Sequence, residues 1–358
     1  MMNLAAVETA FRTEGAIARL GRGALVAGAL GVGANTALSL EASNGNGPGA
    51  ALASELVALQ HGPAGLAMEG ALGGLAALVT IRGSIPTRAG VFAGAALGMA
   101  AGILIGRGVD RALNHQWYSD ANAQAHKQVA KAQQFFAAHH ADTSTVGAIP
   151  IVIDRSFHNA AFTPKDWHGE RIYIGRYENG TSFTASPDVL FHEYGHRIIG
   201  HYAPNLAATG SSGAINEGLA DTFAACIDDA NWTLGEGGGS PIRNLEDPGS
   251  ITFNIGTGER PYPATRWEYV NTTSDRGGVH LNATIVGHAS YLIGTAIGRD
   301  KLADLYMHVL STHELPAQAS FQNLATAAGR SAAKLWGADS AEHAAVVKAW
   351  TQTGYPPA

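Results

Sequence analysis

The stretch FHEYGHRIIGH at residues 191–201 holds three histidines, a glutamate and a tyrosine within eleven positions. His192 and His196 are four apart. On a helix this separates them by about 40° around the axis, so both imidazoles can reach one ion. Glu193 lies about 100° round from His192. From there it can approach the open side of a metal without binding it, as a general base acting on a metal-bound water should. For so short a motif the plain alternative is a helix that carries two surface histidines. His201 does not extend the site. The three-histidine pattern HExxHxxGxxH needs a glycine at position 199 and a histidine at 202, where the chain has Ile199 and Tyr202. His201 is nine residues from His192, half a turn out of phase, and is expected to point away as a surface or structural residue.

The third ligand must come from elsewhere. GAINEGLAD (213–221) places Glu217 twenty-one residues after His196, on a second helical segment, with Asp221 one turn later on the same face. Glu217 would complete a two-histidine, one-glutamate site with a position free for water. Asn216 and Asp221 would then orient the ligands, because a carboxylate that accepts a proton from a ligand histidine fixes the ring's tautomer. The single cysteine, Cys226, rules out a disulfide within the chain and leaves a zinc site only His and carboxylate ligands.

The elements that must position these groups can be read from the rest of the chain. Its 358 residues suffice for one large domain or two ordinary ones. The net charge is -6 and no Lys/Arg-rich run occurs, which argues against nucleic acid as a partner. Charged residues are only 15% of the chain, and the shortage is concentrated in residues 1–112, which are rich in Ala and Gly. Apolar stretches there span 24–34, 62–81 and 89–106. The last has glycines at 90, 94, 98, 102 and 106, a ridge along one helix face that lets helices pack closely in lipid. Residues 62–106 are therefore expected to form a glycine-zipper helical hairpin with membrane affinity, serving as an anchor or translocation segment. A soluble Ala/Gly-rich hairpin packed on itself is the alternative. The 24–34 stretch could also be the core of a secretion signal with ALS (37–39) as its cleavage site, and 41–49 reads as a flexible linker.

From about residue 113 the composition is ordinary. A helix is expected over 119–140, strands over 148–154 and 171–175, and helices again over PDVLFHEYGHRIIGHY and AINEGLADTFAACIDDA. A Gly/Pro-rich stretch runs from 235 to about 278, and the pattern from 280 onward is helical.

These motifs, in this order, resemble the thermolysin-like family of zinc metallopeptidases. The resemblance runs from about 119 to the C-terminus through DANAQAHKQVAKAQQFF, HNAAF (158–162), DVLFHEYGH, GAINEGLAD, PIRNLEDP (241–248), DRGGVHLNATIVGHASYLI (275–293), GRDKLADLY and AWTQTGY. It implies an α+β fold in two lobes, one mixed α/β and one helical, with the zinc and substrate cleft between them. His192, His196 and Glu217 would bind zinc, and Glu193 would activate the water and pass its proton to the leaving amine. His280 would stabilise the oxyanion, with Asp275 holding its imidazole. Arg243, steadied by Asp221, would bind the carbonyl beyond the scissile bond. Asn159 and Ala160 would pair with the substrate backbone as an added strand. Phe183, Val189, Leu234 and Ile242 would line the pocket for the residue after the cut, favouring apolar side chains. Asp188, Asp228, Asn231 and Glu236 fall on positions resembling the family's calcium ligands.

Two departures stand out. The family has a tyrosine in the loop before the third ligand that helps the oxyanion; this chain has NLAATGSS there, and Tyr202 is the nearest tyrosine before that segment. The Ala/Gly-rich first region does not resemble the family's β-rich first segment or pro-segment, so no latency mechanism carries over. The reading of the sequence is a zinc-dependent endopeptidase domain at 113–358, preceded by the Ala/Gly-rich region 1–112. It would act on polypeptides, secreted or membrane-associated and bacterial in origin, in the manner of a secreted effector. The alternative is a membrane-inserting glycine-zipper toxin whose peptidase domain serves processing or is degenerate.

Overall fold

The structure is a computed structural model that describes residues 110–142, 147–164, 169–256 and 258–358. The expected hairpin at 62–106, the 24–34 stretch and the 41–49 linker lie outside the described residues. Among the described residues, no helix is long and apolar enough to cross a membrane. The histidine and glutamate motifs lie in one compact unit, Trp117–Ala358.

This unit is α+β. Helix α1 (His115–Ala138) leads into a three-stranded sheet of β1 (Ile151–Ile153), β2 (Ala160–Thr163) and β3 (Arg171–Ile174). The strand order is β1-β3-β2, with β1 parallel and β2 antiparallel to β3. The register pairs Ala160 with Ile174 and Phe162 with Ile172. Asn159 C=O accepts from Gly175 N–H (2.9 Å), so residues 159, 161 and 163 bond inward to β3. The backbone groups of Ala160 and Phe162 therefore point to the outer edge.

Helices α2 (Pro187–Tyr202), α3 (Gly210–Ile227), α4 (Asp275–Ile297), α5 (Arg299–Ser311), α6 (Phe321–Trp336) and α7 (Ala341–Gln352) form the rest of the framework. α2 starts with Pro187 at its first position, where a missing N–H costs nothing, and Asp188 in the first turn favours the positive end of the helix dipole. Short ladders pair Thr233–Leu234, just before the Gly/Pro-rich stretch, with Arg243–Asn244 inside it, and Thr252–Asn254 with Glu259–Pro261.

Helix α3 is central: fifteen of its eighteen residues are buried. Two glycines set its spacing. A Cβ on Gly195 of α2 would lie 3.2 Å from Ala220 Cα. A Cβ on Gly218 would lie 2.5 Å from Val286 Cβ and 2.7 Å from Ala283 O on α4. Both contacts let backbones approach closer than side chains would allow, which brings the carboxylates of α3 within reach of the histidines of α2. Around this axis one core runs from α1 to α7. In it, the Phe136 ring packs against Tyr194 (5.8 Å) and edge-on against Phe223 (5.2 Å).

Candidate active site

His192, His196 and Glu217 come together at the meeting of α2 and α3. One ligand atom from each lies within 4.8 Å of the others, and among the described residues no other such group is found. His201, by contrast, is exposed on the far side of α2 and takes no part.

Each ligand is oriented from behind. His192 Nδ1 lies 2.7 Å from Asp221 Oδ1, and His196 Nδ1 lies 2.6 Å from Asn216 Oδ1. With both Nδ1 atoms facing these oxygens, both Nε2 atoms turn to Glu217 Oε2, at 3.3 and 3.5 Å. That buried oxygen makes no hydrogen bond. Acceptor atoms facing one another in a buried site need a cation between them. Two imidazoles and a carboxylate, with no thiolate, are a zinc donor set with room for a water. The residues present therefore fit zinc.

The charges agree. Burial would lower the pKa of His192, but the Asp221 carboxylate, with Glu217 and Glu193 behind it, lifts it to about 10. Burial would raise that of Glu217, yet His196 and His192 hold it far below the usual carboxylate range. Without a metal, a proton on His192 supplies positive charge to the cluster; a divalent ion would supply it instead. Asp221 is fully buried and also takes Arg243, through Nη2 at 2.8 Å and Nε at 2.7 Å. Burial again opposes its ionisation, and Arg243 and then His192 overcome it.

Glu193 is buried, and its Oε2 accepts from Phe162 N–H of β2 at 2.6 Å. This ties the edge strand to the metal helix. Nothing in the sequence marks Phe162 for the task, since the group it contributes is a backbone N–H. His280 Nε2 stands 3.4 Å from Glu217 Oε1, and its Nδ1 is 2.6 Å from Asp275 Oδ1. The other Asp275 oxygen accepts from His280 N–H (2.8 Å), capping the regular part of α4. Arg276 was not singled out by sequence, yet its Nη2 lies 3.3 Å from Glu217 Oε1.

The other expected residues surround this centre. Asn159 is exposed and its carbonyl is already bound to Gly175, so of the pair only Ala160 directs backbone groups to the free edge. Phe183 and Leu234 are buried, Val189 half-buried and Ile242 exposed. Their segments are stitched together: Asp188 Oδ2 accepts from Gly235 N–H (2.6 Å), and Ser186 Oγ from Gly237 N–H (2.7 Å). Burial, with the nearby Glu236 charge adding to it, pushes Asp188 up to about 7. Asn231 donates its amide to Glu236 Oε1 at 2.7 Å. Asp228 stands apart from that pair; its carbonyl accepts from Arg299 Nη1 at 2.9 Å. Tyr202 directs its hydroxyl to Asp142 N–H (2.7 Å) on α1's side of the helix.

Known proteins resemble parts of this chain. The family described as "Thermolysin metallopeptidase, alpha-helical domain" matches residues 204–355. Residues 204–355 are thus similar to the helical domain of the thermolysin metallopeptidases. Bacillolysin of Brevibacillus brevis is 29% identical over 260 residues, covering 67% of this chain and 47% of that protein. Thermolysin of Alicyclobacillus acidocaldarius is 26% identical over 260 residues, covering 66% and 46%. This chain thus spans about half the length of these relatives. Among solved structures, the precursor of protealysin, a metalloproteinase from Serratia proteamaculans, superposes with a TM-score of 0.56 at 26% identity, covering 66% of this chain and 78% of that one. The family match contains Glu217, Asp221, Arg243, Asp275 and His280, while His192, Glu193 and His196 precede it in sequence.

Proposed function

We propose that this chain is a zinc-dependent endopeptidase that hydrolyses peptide bonds ahead of apolar residues. The observation that carries the reading is the His192–His196–Glu217 group, with Glu193 beside His192 on the same helix and His280 Nε2 3.4 Å from Glu217 Oε1. Bound by His192, His196 and Glu217, zinc would polarise the scissile carbonyl and lower the pKa of a water. Glu193, held by Phe162 N–H, takes the proton of the attacking water and delivers it to the leaving amine. His280 presents Nε2 to the developing oxyanion while Asp275 fixes its ring. An extended polypeptide lies along the free edge of β2 and pairs with Ala160. Arg243, anchored by Asp221, meets the carbonyl beyond the cut, and Phe183, Val189, Leu234 and Ile242 surround the side chain on the far side of it.

Three finer readings accompany it. Of the expected calcium positions Asp188, Asp228, Asn231 and Glu236, the first and last support an ion between them, because a cation would offset the Glu236 charge that raises Asp188. A membrane-directed role for residues 62–106 rests on the glycine ridge of the sequence, and flotation of the full chain with liposomes tests it; a chain left entirely in the dense fraction ends that idea. Secretion from a bacterium is inferred from the bacterial sources of the relatives.

The test of the central reading is cleavage of unfolded casein by the full chain, alongside a zinc chelator and Glu193→Gln. Cleavage abolished in both arms is expected. Cleavage that survives Glu193→Gln refutes the mechanism, and none by the zinc-loaded wild type refutes the activity.

A further inference from the structure

His280 is half exposed and is one group where an oxyanion commonly meets two. The segment before Glu217 offers no tyrosine, and the hydroxyl of Tyr202 is turned to Asp142. Tyr269, the other tyrosine bonded near the start of α3, rests its hydroxyl against Ser211 Oγ at 3.5 Å.

Arg276 stands in the required place. Asp275, Arg276, Gly277 and Gly278 have φ of 52°, 53°, 91° and 74°, four left-handed residues in succession. For the two that are not glycine this conformation costs about 1–2 kcal/mol each. Such strain persists only where the surroundings hold it, and it gathers at functional sites. Here Asp275 is held by the His280 N–H and ring, and Gly277 and Gly278 both donate to Ser274 C=O. The reversal brings the Arg276 side chain to the cluster, where Nη2 comes 3.3 Å from Glu217 Oε1, the oxygen that His280 Nε2 meets at 3.4 Å.

A purely structural role fits poorly. Arg243 shows what such a role looks like here: 12% exposed, with two close contacts to one carboxylate. The Arg276 side chain is 53% exposed and makes a single longer contact. Its guanidinium is permanently charged and keeps N–H donors free for a second acceptor.

We propose that Arg276 is a catalytic residue, a cationic donor that joins His280 on the oxyanion of the scissile carbonyl. This rests on the peptidase reading. The full-length, zinc-loaded chain is assayed on an internally quenched peptide with leucine after the cut, beside Arg276→Gln and Arg276→Lys. Arg276→Gln should lower kcat by about 100-fold with KM nearly unchanged, the usual effect of losing one oxyanion donor. Arg276→Lys should retain part of the rate, and added guanidinium ion should partly restore Arg276→Ala. A phosphonate analogue of the tetrahedral state should lose affinity in step with kcat/KM. Zinc stoichiometry and melting temperature should hold throughout. An unchanged kcat, a loss confined to KM, or a loss of bound zinc overturns the assignment, the second pointing to a substrate side-chain contact and the third to a purely structural pair. A wild-type chain that cleaves while these results fail leaves the peptidase reading standing; one that does not cleave removes both.

Discussion

Replacing Asp221 by asparagine keeps the size of the side chain and removes its charge. Two buried groups lose their partner: Arg243, at 2.8 and 2.7 Å, and His192 Nδ1, at 2.7 Å. Removing one member of a buried ion pair costs about 3–5 kcal/mol, because the other charge is left unpaired. In a domain of this size each kcal/mol lowers Tm by about 2–4 °C, so a fall on the order of 10 °C is expected. Release of the His192 ring should also weaken zinc binding by about 10–100-fold. Circular-dichroism melting of the metal-free chain reads the first effect, and competition with a fluorescent zinc chelator reads the second. The two can be separated. Adding Arg243→Met to Asp221→Asn removes the stranded cation, so it should recover stability without recovering zinc affinity. If Asp221→Asn melts within about 2 °C of wild type, a shift worth no more than about 1 kcal/mol, and binds zinc equally well, the bridging role of Asp221 is wrong.

Gly218→Ala should destabilise the chain by about 1–3 kcal/mol by forcing α3 from α4, and should lower zinc stoichiometry because Glu217 moves with it; a melt equal to wild type refutes the close-approach argument. The Asp188 carboxyl is pushed up to about 7 in the fold from an ordinary 3.8, so the folded chain holds a proton that the unfolded chain has released across that window. Calcium-free stability should therefore fall as pH rises through the window and level off above it. Asp188→Asn should remove this slope, and calcium should raise the wild-type Tm at pH 8 more than at pH 5. A wild type and variant with parallel pH profiles contradict the assignment.

Much of the metal site was legible because helical spacing is geometry. The four-residue interval of His192 and His196 and the Asn216–Glu217–Asp221 pattern fix which faces those side chains share, and the structure sets Asn216 and Asp221 behind the two rings. The helices of the C-terminal part were readable from their apolar periodicity, and α2 spans the expected 187–202. The resemblance supplied His280, Asp275 and Arg243, whose partners lie far off in sequence or hang on loop geometry. What stayed hidden depends on backbone. Phe162 contributes an N–H that any non-proline residue would offer. The course of Arg276 depends on a run of positive φ, hinted at only by the two glycines after it. The calcium positions were readable as residue types, but type alone does not say that Asn231 turns a donor rather than an acceptor toward Glu236.

Glu217, Asn216 and Asp221 all ride on α3, fifteen of whose eighteen residues are buried. Amides in such a place exchange with solvent only when the whole domain opens. The cluster therefore has no local melting of its own: it survives as long as the fold does and is lost with it. A bound ion then acts on every element packed around α3, each tenfold excess over its dissociation constant adding about 1.4 kcal/mol to the global unfolding free energy. Heat inactivation and unfolding should trace one curve, and that curve should slide with metal concentration.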